Sequence, residues 1–178
     1  MTIHPEDTDG NVDLVTFRLG GEICAVPASQ LREVLEPVAM MRVPGAAEFV
    51  AGLINVRGTV VPLSDLRVPL GMPREPAGEH ARIMVMDIPV SGQSCVVGIL
   101  ADAVHEVTRL DPEKCEQVPT VGARWPQRFV SAVGRWKGDL VTLPDLATIF
   151  EDFLDGFDGR TTLTGARRAT KIQEPERA

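Results

Sequence analysis

Residues 49–66, FVAGLINVRGTVVPLSDL, return without a gap as residues 129–146, FVSAVGRWKGDLVTLPDL. Phe49, Val50, Gly58, Val61, Leu63, Asp65 and Leu66 are each identical to the residue 80 positions further on. The echo continues upstream at smaller offsets: ICAVPASQLREV at 23–34 matches VVGILADAVHEV at 96–107, and Val43-Pro44 matches Val118-Pro119. The second copy simply has longer loops. Self-similarity of this kind marks a duplicated structural unit. A unit of roughly 60–75 residues buries little core by itself, so the two copies are expected to share one.

The residues between the echoes set the class of fold. Fourteen prolines and 16 glycines interrupt a chain of 178 residues that is 44% hydrophobic, a spacing that argues against long helices and for many short strands. The formal charge of −7 disfavours nucleic acid as a partner, and there is no basic stripe beyond Arg167, Arg168 and Lys171 near the C-terminus. No apolar run reaches the ~20 residues of a membrane span, and MTIHPEDTDG at the N-terminus is acidic and polar where a signal peptide is basic and then apolar. A cytoplasmic protein without membrane insertion is expected. Cys24 and Cys95 lie in strand-like apolar runs, where burial is expected, and Cys115 lies in a polar loop. Their spacing makes neither a disulfide framework nor a metal knuckle, and no cofactor or metal is implied.

Along the chain, 14–19 and 23–26 read as a hairpin about Gly20-Gly21, and 53–56 and 59–63 as another about Arg57-Gly58. In that second turn glycine is expected to take the positive backbone torsion that arginine resists. Ser64 or Asp65 is placed to cap a short helix over 66–70, and Asp145 to cap one over 146–154. The Pro- and Glu-rich stretch 73–81 reads as the linker between copies, and 83–86, 96–100 and 104–107 as strands of the second. Residues 1–12 and 157–178 read as a disordered arm and tail about a domain at 13–156, with halves at about 13–72 and 82–156.

LGGEICAVPASQLREV at 19–34, VPGAAEFVAGLINVRGTVVPLSDL at 43–66, VVGILADAVHEV and FVSAVGRWKGDLVTLPDL together resemble the CheW-like family of bacterial chemotaxis coupling proteins. The resemblance covers about 14–154. It implies an all-β fold of two pseudo-symmetric five-stranded SH3-like barrels that share a core, with short helices. It also implies a non-catalytic adaptor, joining the cytoplasmic tip of a methyl-accepting chemoreceptor to the regulatory domain of a CheA-type histidine kinase. Carried over by position, the receptor-binding residues are Arg57 of the NxRG turn, the acid Glu33 and its aliphatic neighbour Leu31. On the second copy the groove positions are Ile83, Gly98, Val104 and Val107. The kinase-facing surface is formed in this family by barrel ends, which the resemblance does not resolve into residues. The chain departs from the pattern at Cys24, where an aromatic residue is usual, and at Pro27 and Pro144. It departs again at Trp136 and Lys137, which replace small or apolar residues at the second turn.

The physical reading of these residues is compatible with that role. An arginine at a turn offers a forked donor to a carboxylate or to helix-end carbonyls, and a glycine admits close approach of a partner. A rival reading is an independent interaction module for another signalling or motility partner. A third is a small enzyme using Asp65, Asp145 and His105; but the two aspartates repeat in equivalent places before short helices, which is what caps do. His4, His80 and His105 are scattered without metal or triad spacing.

Overall fold

The computed structural model describes residues 11–111, 114–116 and 125–154, so residues 1–10 of the arm and the whole tail lie outside the described residues, while Val12, expected in the arm, opens the first strand and pairs with Leu110. Among the described residues eleven strands run in chain order: β1 (Val12–Leu19), β2 (Glu22–Pro27), β3 (Leu31–Leu35), β4 (Met40–Met41), β5 (Val50–Val56), β6 (Thr59–Ser64), β7 (Arg82–Val90), β8 (Gln93–Ala101), β9 (Ala103–Leu110), β10 (Val130–Trp136) and β11 (Asp139–Pro144). A helix, α1 (Leu146–Leu154), follows.

Two sheets form, with strand orders β10-β11-β2-β1-β9 and β3-β7-β8-β6-β5-β4. By the sequence echo β2 and β3 correspond to β8 and β9, and β5 and β6 to β10 and β11, while β1 and β7 correspond as the hairpin partners of β2 and β8. Under that correspondence the first order becomes β5-β6-β8-β7-β3, which is the second order read backwards without the two-residue β4. Each sheet therefore draws strands from both 13–72 and 82–156, and neither stretch completes a sheet alone. The sheets curl closed. Trp136 on β10 reaches Glu106 on β9, and Leu35 on β3 packs against the apolar cluster that holds Ile54 and Val56 of β5. These are the two SH3-like barrels.

Three apolar clusters result. A small one fills each barrel: Leu14, Ala25 and Val141 in the first, and Ile54, Val56, Val61, Leu63, Ile83 and Val85 in the second. The largest lies between the barrels, with Phe17 and Val26 from one sheet meeting Met86 and Ile99 from the other. The repeated phenylalanines converge there. Phe49 packs edge-on to Phe150 of α1 with centroids 4.9 Å apart, and Phe129 lies 6.2 Å from Phe153. Duplication extends to single hydrogen bonds, since the Asp65 amide donates to the Phe49 carbonyl at 3.0 Å and the Asp145 amide to the Phe129 carbonyl at 2.8 Å.

Asp145 caps α1, its Oδ1 accepting from the Thr148 amide at 3.0 Å. Asp65 Oδ1 likewise accepts from the Arg67 amide at 3.0 Å, but the expected helix over 66–70 is a succession of turns. Pro69 has no amide to donate and disfavours helical backbone at Val68, so the cap is present and the helix is not. Cys24 is buried as expected, its thiol pushed up by burial, whereas Cys95 is only half-buried against the shared core. The difference is one of position, Cys24 lying mid-strand between the barrels and Cys95 near the exposed start of β8.

One contact is not duplicated. Arg67, 1% exposed, donates through Nη1 to Asp65 and through Nη2 to Asp102 at the β8–β9 corner. Asp102 also accepts from the Gly20 amide at 2.7 Å, and its own amide donates to the Arg18 carbonyl at 2.9 Å. The chain just after β6 is thereby tied to the β1–β2 turn of the other barrel. At the equivalent places stand Ala147 and Ser29, which make no such pair.

Candidate functional site

Among the described residues four two-residue hairpin turns have positive φ at both residues: Gly20-Gly21, Arg57-Gly58, Ser91-Gly92 and Lys137-Gly138. This is the turn whose twist matches paired strands, and it asks for left-handed backbone at its first residue too. Arg57 sits at φ 51°, so the expectation that glycine alone takes the positive torsion is corrected. A non-glycine residue there costs about 1 kcal/mol or more, and the cost is repeated at Lys137, φ 52°. Both turns hold a long cation where asparagine or glycine would be easier.

Each cation meets an acid on a neighbouring strand. Arg57 Nε lies 3.2 and 3.1 Å from the two carboxylate oxygens of Glu33 on β3, and Nη2 lies 3.1 Å from Oε2. Asn55 Oδ1 accepts from the Gly58 amide at 2.8 Å and stiffens the turn. The arginine side chain is 80% exposed and the acid 24%, so the guanidinium is oriented yet open to solvent. In the second copy Lys137 Nζ lies 2.9 Å from Glu106 on β9. Since 33 aligns with 106 and 57 with 137, this is the same pair repeated. Trp136 adds to it: its indole N–H donates to Glu106 at 3.2 Å, Lys137 Nζ stands 4.6 Å over its ring, and His105 stacks on it at 5.6 Å. The Lys137 bond, aided by the indole, holds the Glu106 carboxyl below its ordinary range.

The remaining groove positions part company. Leu31 and Val104 are half-buried, both against the shared core, and Val107 is exposed on β9. Ile83, 1% exposed, and Gly98 lie inside the second barrel. A methyl group at Gly98 would stand 3.2 Å from Ile83 and 3.3 Å from Leu63. Close packing within the barrel is what requires this glycine, and neither residue lines an open groove. The signal that separates them from Leu31 is strand alternation: Ile83 and Gly98 face each other's side of the β7–β8 pair, toward Leu63 and Ile54. The pairing of Lys137 with Glu106 is not among the expected site contacts, although the two echo offsets, 73 and 80, place both residues opposite Glu33 and Arg57.

Among the described residues no group of three or more His, Cys, Asp or Glu could hold a metal, and no helix is long and apolar enough to cross a membrane.

A family model, the CheW-like domain, matches residues 13–153. The chain is 30% identical over 144 residues to the chemotaxis protein CheW of Rhizobium meliloti strain 1021, covering 80% of this chain and 90% of that one. It is 29% identical over 143 residues to Protein PilI of Pseudomonas aeruginosa, covering 79% of this chain and 78% of that one. The crystal structure of the scaffolding protein TtCheW from Thermoanaerobacter tengcongensis superposes with a TM-score of 0.69 at 28% identity, over 79% of this chain and 92% of that one.

Proposed function

Because the chain belongs to the CheW-like domain family, a family of non-catalytic scaffolds of chemotaxis, we propose that it couples the cytoplasmic tip of a methyl-accepting chemoreceptor to the regulatory domain of a CheA-type histidine kinase. It does so from the cytoplasm, recruited to receptor arrays at the membrane. The observation that carries this reading is the Arg57–Glu33 pair, a guanidinium held in a forked bond on a stiff turn with most of its surface open. Such a group recognises a carboxylate or helix-end carbonyls with defined geometry. Leu31, Val104 and Val107 supply aliphatic surface on β3 and β9, the strands that carry the acids of the two turns.

Arg57→Glu tests it. The variant should bind a soluble receptor hairpin fragment at least about tenfold more weakly, with circular dichroism and melting temperature unchanged because the residue touches no core. Native affinity in a folded variant would remove Arg57 from the interface. The second reading, an interaction module for a partner outside chemotaxis, is favoured by the similarity to Protein PilI. Titration with each CheA-type regulatory domain of the same genome separates the two.

A further inference from the structure

The Arg57 and Lys137 turns have nearly one backbone, with φ 51° and 85° at Arg57 and Gly58 against 52° and 90° at Lys137 and Gly138. Their strands pair in one register, Asn55 with Val60 and Val56 with Thr59 in the first, Arg135 with Leu140 and Trp136 with Asp139 in the second. The ladder ends at Val56 and Thr59, which leaves the Gly58 amide to a side chain or to water. Asn55 Oδ1 accepts from it at 2.8 Å. At the equivalent place Arg135 has no acceptor atom in its side chain, so the Gly138 amide receives no such bond from it. The left-handed turn forms either way, and forming it is not what asks for asparagine.

The bond fixes the peptide that joins Arg57 to Gly58, and the orientation of that peptide sets ψ of Arg57. This matters for a residue in a torsion it resists, whose guanidinium is 80% exposed and bonded to Glu33. A forked donor recognises a carboxylate only while its plane is held, whereas an ammonium is a point charge with no plane to hold. The bond is thus present in the copy that offers a guanidinium and missing from the copy that offers an ammonium. Asn55 is itself exposed, so stability gains little from it. We infer that Asn55 is a positioning residue for Arg57: it locks the turn peptide so that the guanidinium meets a partner's carboxylate in forked geometry. It acts through Arg57 and not by a contact of its own. The inference rests on the reading of the Arg57 turn given above and deepens it.

With the full chain and a soluble receptor hairpin fragment as probe, Asn55→Ala should weaken binding about fivefold, with the melting temperature within about 2 °C of wild type. Asn55→Ser keeps an acceptor for an amide three residues on, a spacing at which serine and asparagine serve about equally at helix starts, and should bind within about twofold of wild type. In Arg57→Ala, itself weakened at least about tenfold, adding Asn55→Ala should change the affinity by less than about twofold. Losses that multiply in the double variant would make Asn55 an independent contact, and a melting temperature several degrees lower in Asn55→Ala would make its role structural. Native affinity in Asn55→Ala, or no recovery in Asn55→Ser, would leave the amide bond without a part in binding. Each of these overturns the inference while the reading of Arg57 stands. If Arg57→Ala binds as well as wild type, the reading of the turn fails and this inference falls with it.

Discussion

The two barrels have one strand order but reach a filled interior by opposite choices at two facing positions. In the second barrel Ile54 on β5 packs against Gly98 on β8. In the first, the equivalent of Ile54 is Gly134 and the equivalent of Gly98 is Ala25. Leu110 and Cys115 close over Gly134, a methyl group there standing 3.1 Å from Leu110. Size lost on one strand is regained on another, as close packing requires. Duplication preserves the hairpins, the capping aspartates and the converging phenylalanines, because both barrels depend on them. What it has not preserved is either compensated elsewhere, as here, or belongs to a task that arises once per molecule.

The Arg67–Asp102 contact is of the second kind. The barrel built around Ala147 and Ser29 closes without it, so the contact serves the junction of the barrels and not the folding of each. Arg67→Ala leaves Asp102 short of its cation and empties a buried site, which should cost about 3–5 kcal/mol. Ser29→Ala, at the place equivalent to Asp102, should stay within about 0.5 kcal/mol. Denaturant unfolding of the two variants would measure the difference. Equal and small effects would show that the barrels hold their relative position through the shared apolar core alone.

A finer test of the same comparison is Gly98→Ala, which writes the first barrel's residue into the second. The added methyl meets Ile83, Leu63 and Ile54 at 3.2 to 3.4 Å, and overpacking of that order costs about 1–3 kcal/mol. Combining it with Ile54→Val, which removes the Ile54 methyl group that the added carbon meets at 3.4 Å, should recover part of the loss. Additive destabilisation in the double variant would mean that the two positions do not compensate each other and that the backbone yields instead.

Much of this was legible beforehand. The echo of 49–66 in 129–146 announced the duplication, and the hairpins followed from Gly-centred turns between β-branched runs. The exchange of hairpins between sheets was not legible, since which strands pair across the halves is decided by long-range packing that no local pattern encodes. The helix over 66–70 failed on Pro69, a residue plainly visible whose effect outweighed a good cap. Ile83 and Gly98 looked like surface positions only by analogy of place; the faces of β7 and β8 both turn inward, one to the barrel interior and one to the shared core, so alternation tells which interior a residue faces without a polar residue to mark either face. The Arg57 turn was recognisable from NxRG, whereas its echo had lost the motif and kept the chemistry.

That loss of motif suggests the mildest way to tell the two turns apart. Glu106 has a carboxyl held below its ordinary range, first by the Lys137 hydrogen bond and then by that lysine's charge and the indole N–H. A lowered folded-state value means that the bonded arrangement is complete above the unfolded value and is lost only as pH falls through the lower one. With His105 replaced by Gln, so that no imidazole stacks on the ring, the emission of Trp136 should therefore stay constant between pH 7 and the ordinary carboxylate range, and change only at more acid pH, when protonated Glu106 releases Lys137. Glu106→Gln should abolish that acid transition, and Glu33→Gln should leave it intact, because Glu33 faces Arg57 and no indole. A transition that survives in Glu106→Gln would assign the proton elsewhere and leave the Trp136 cluster held by packing and not by charge.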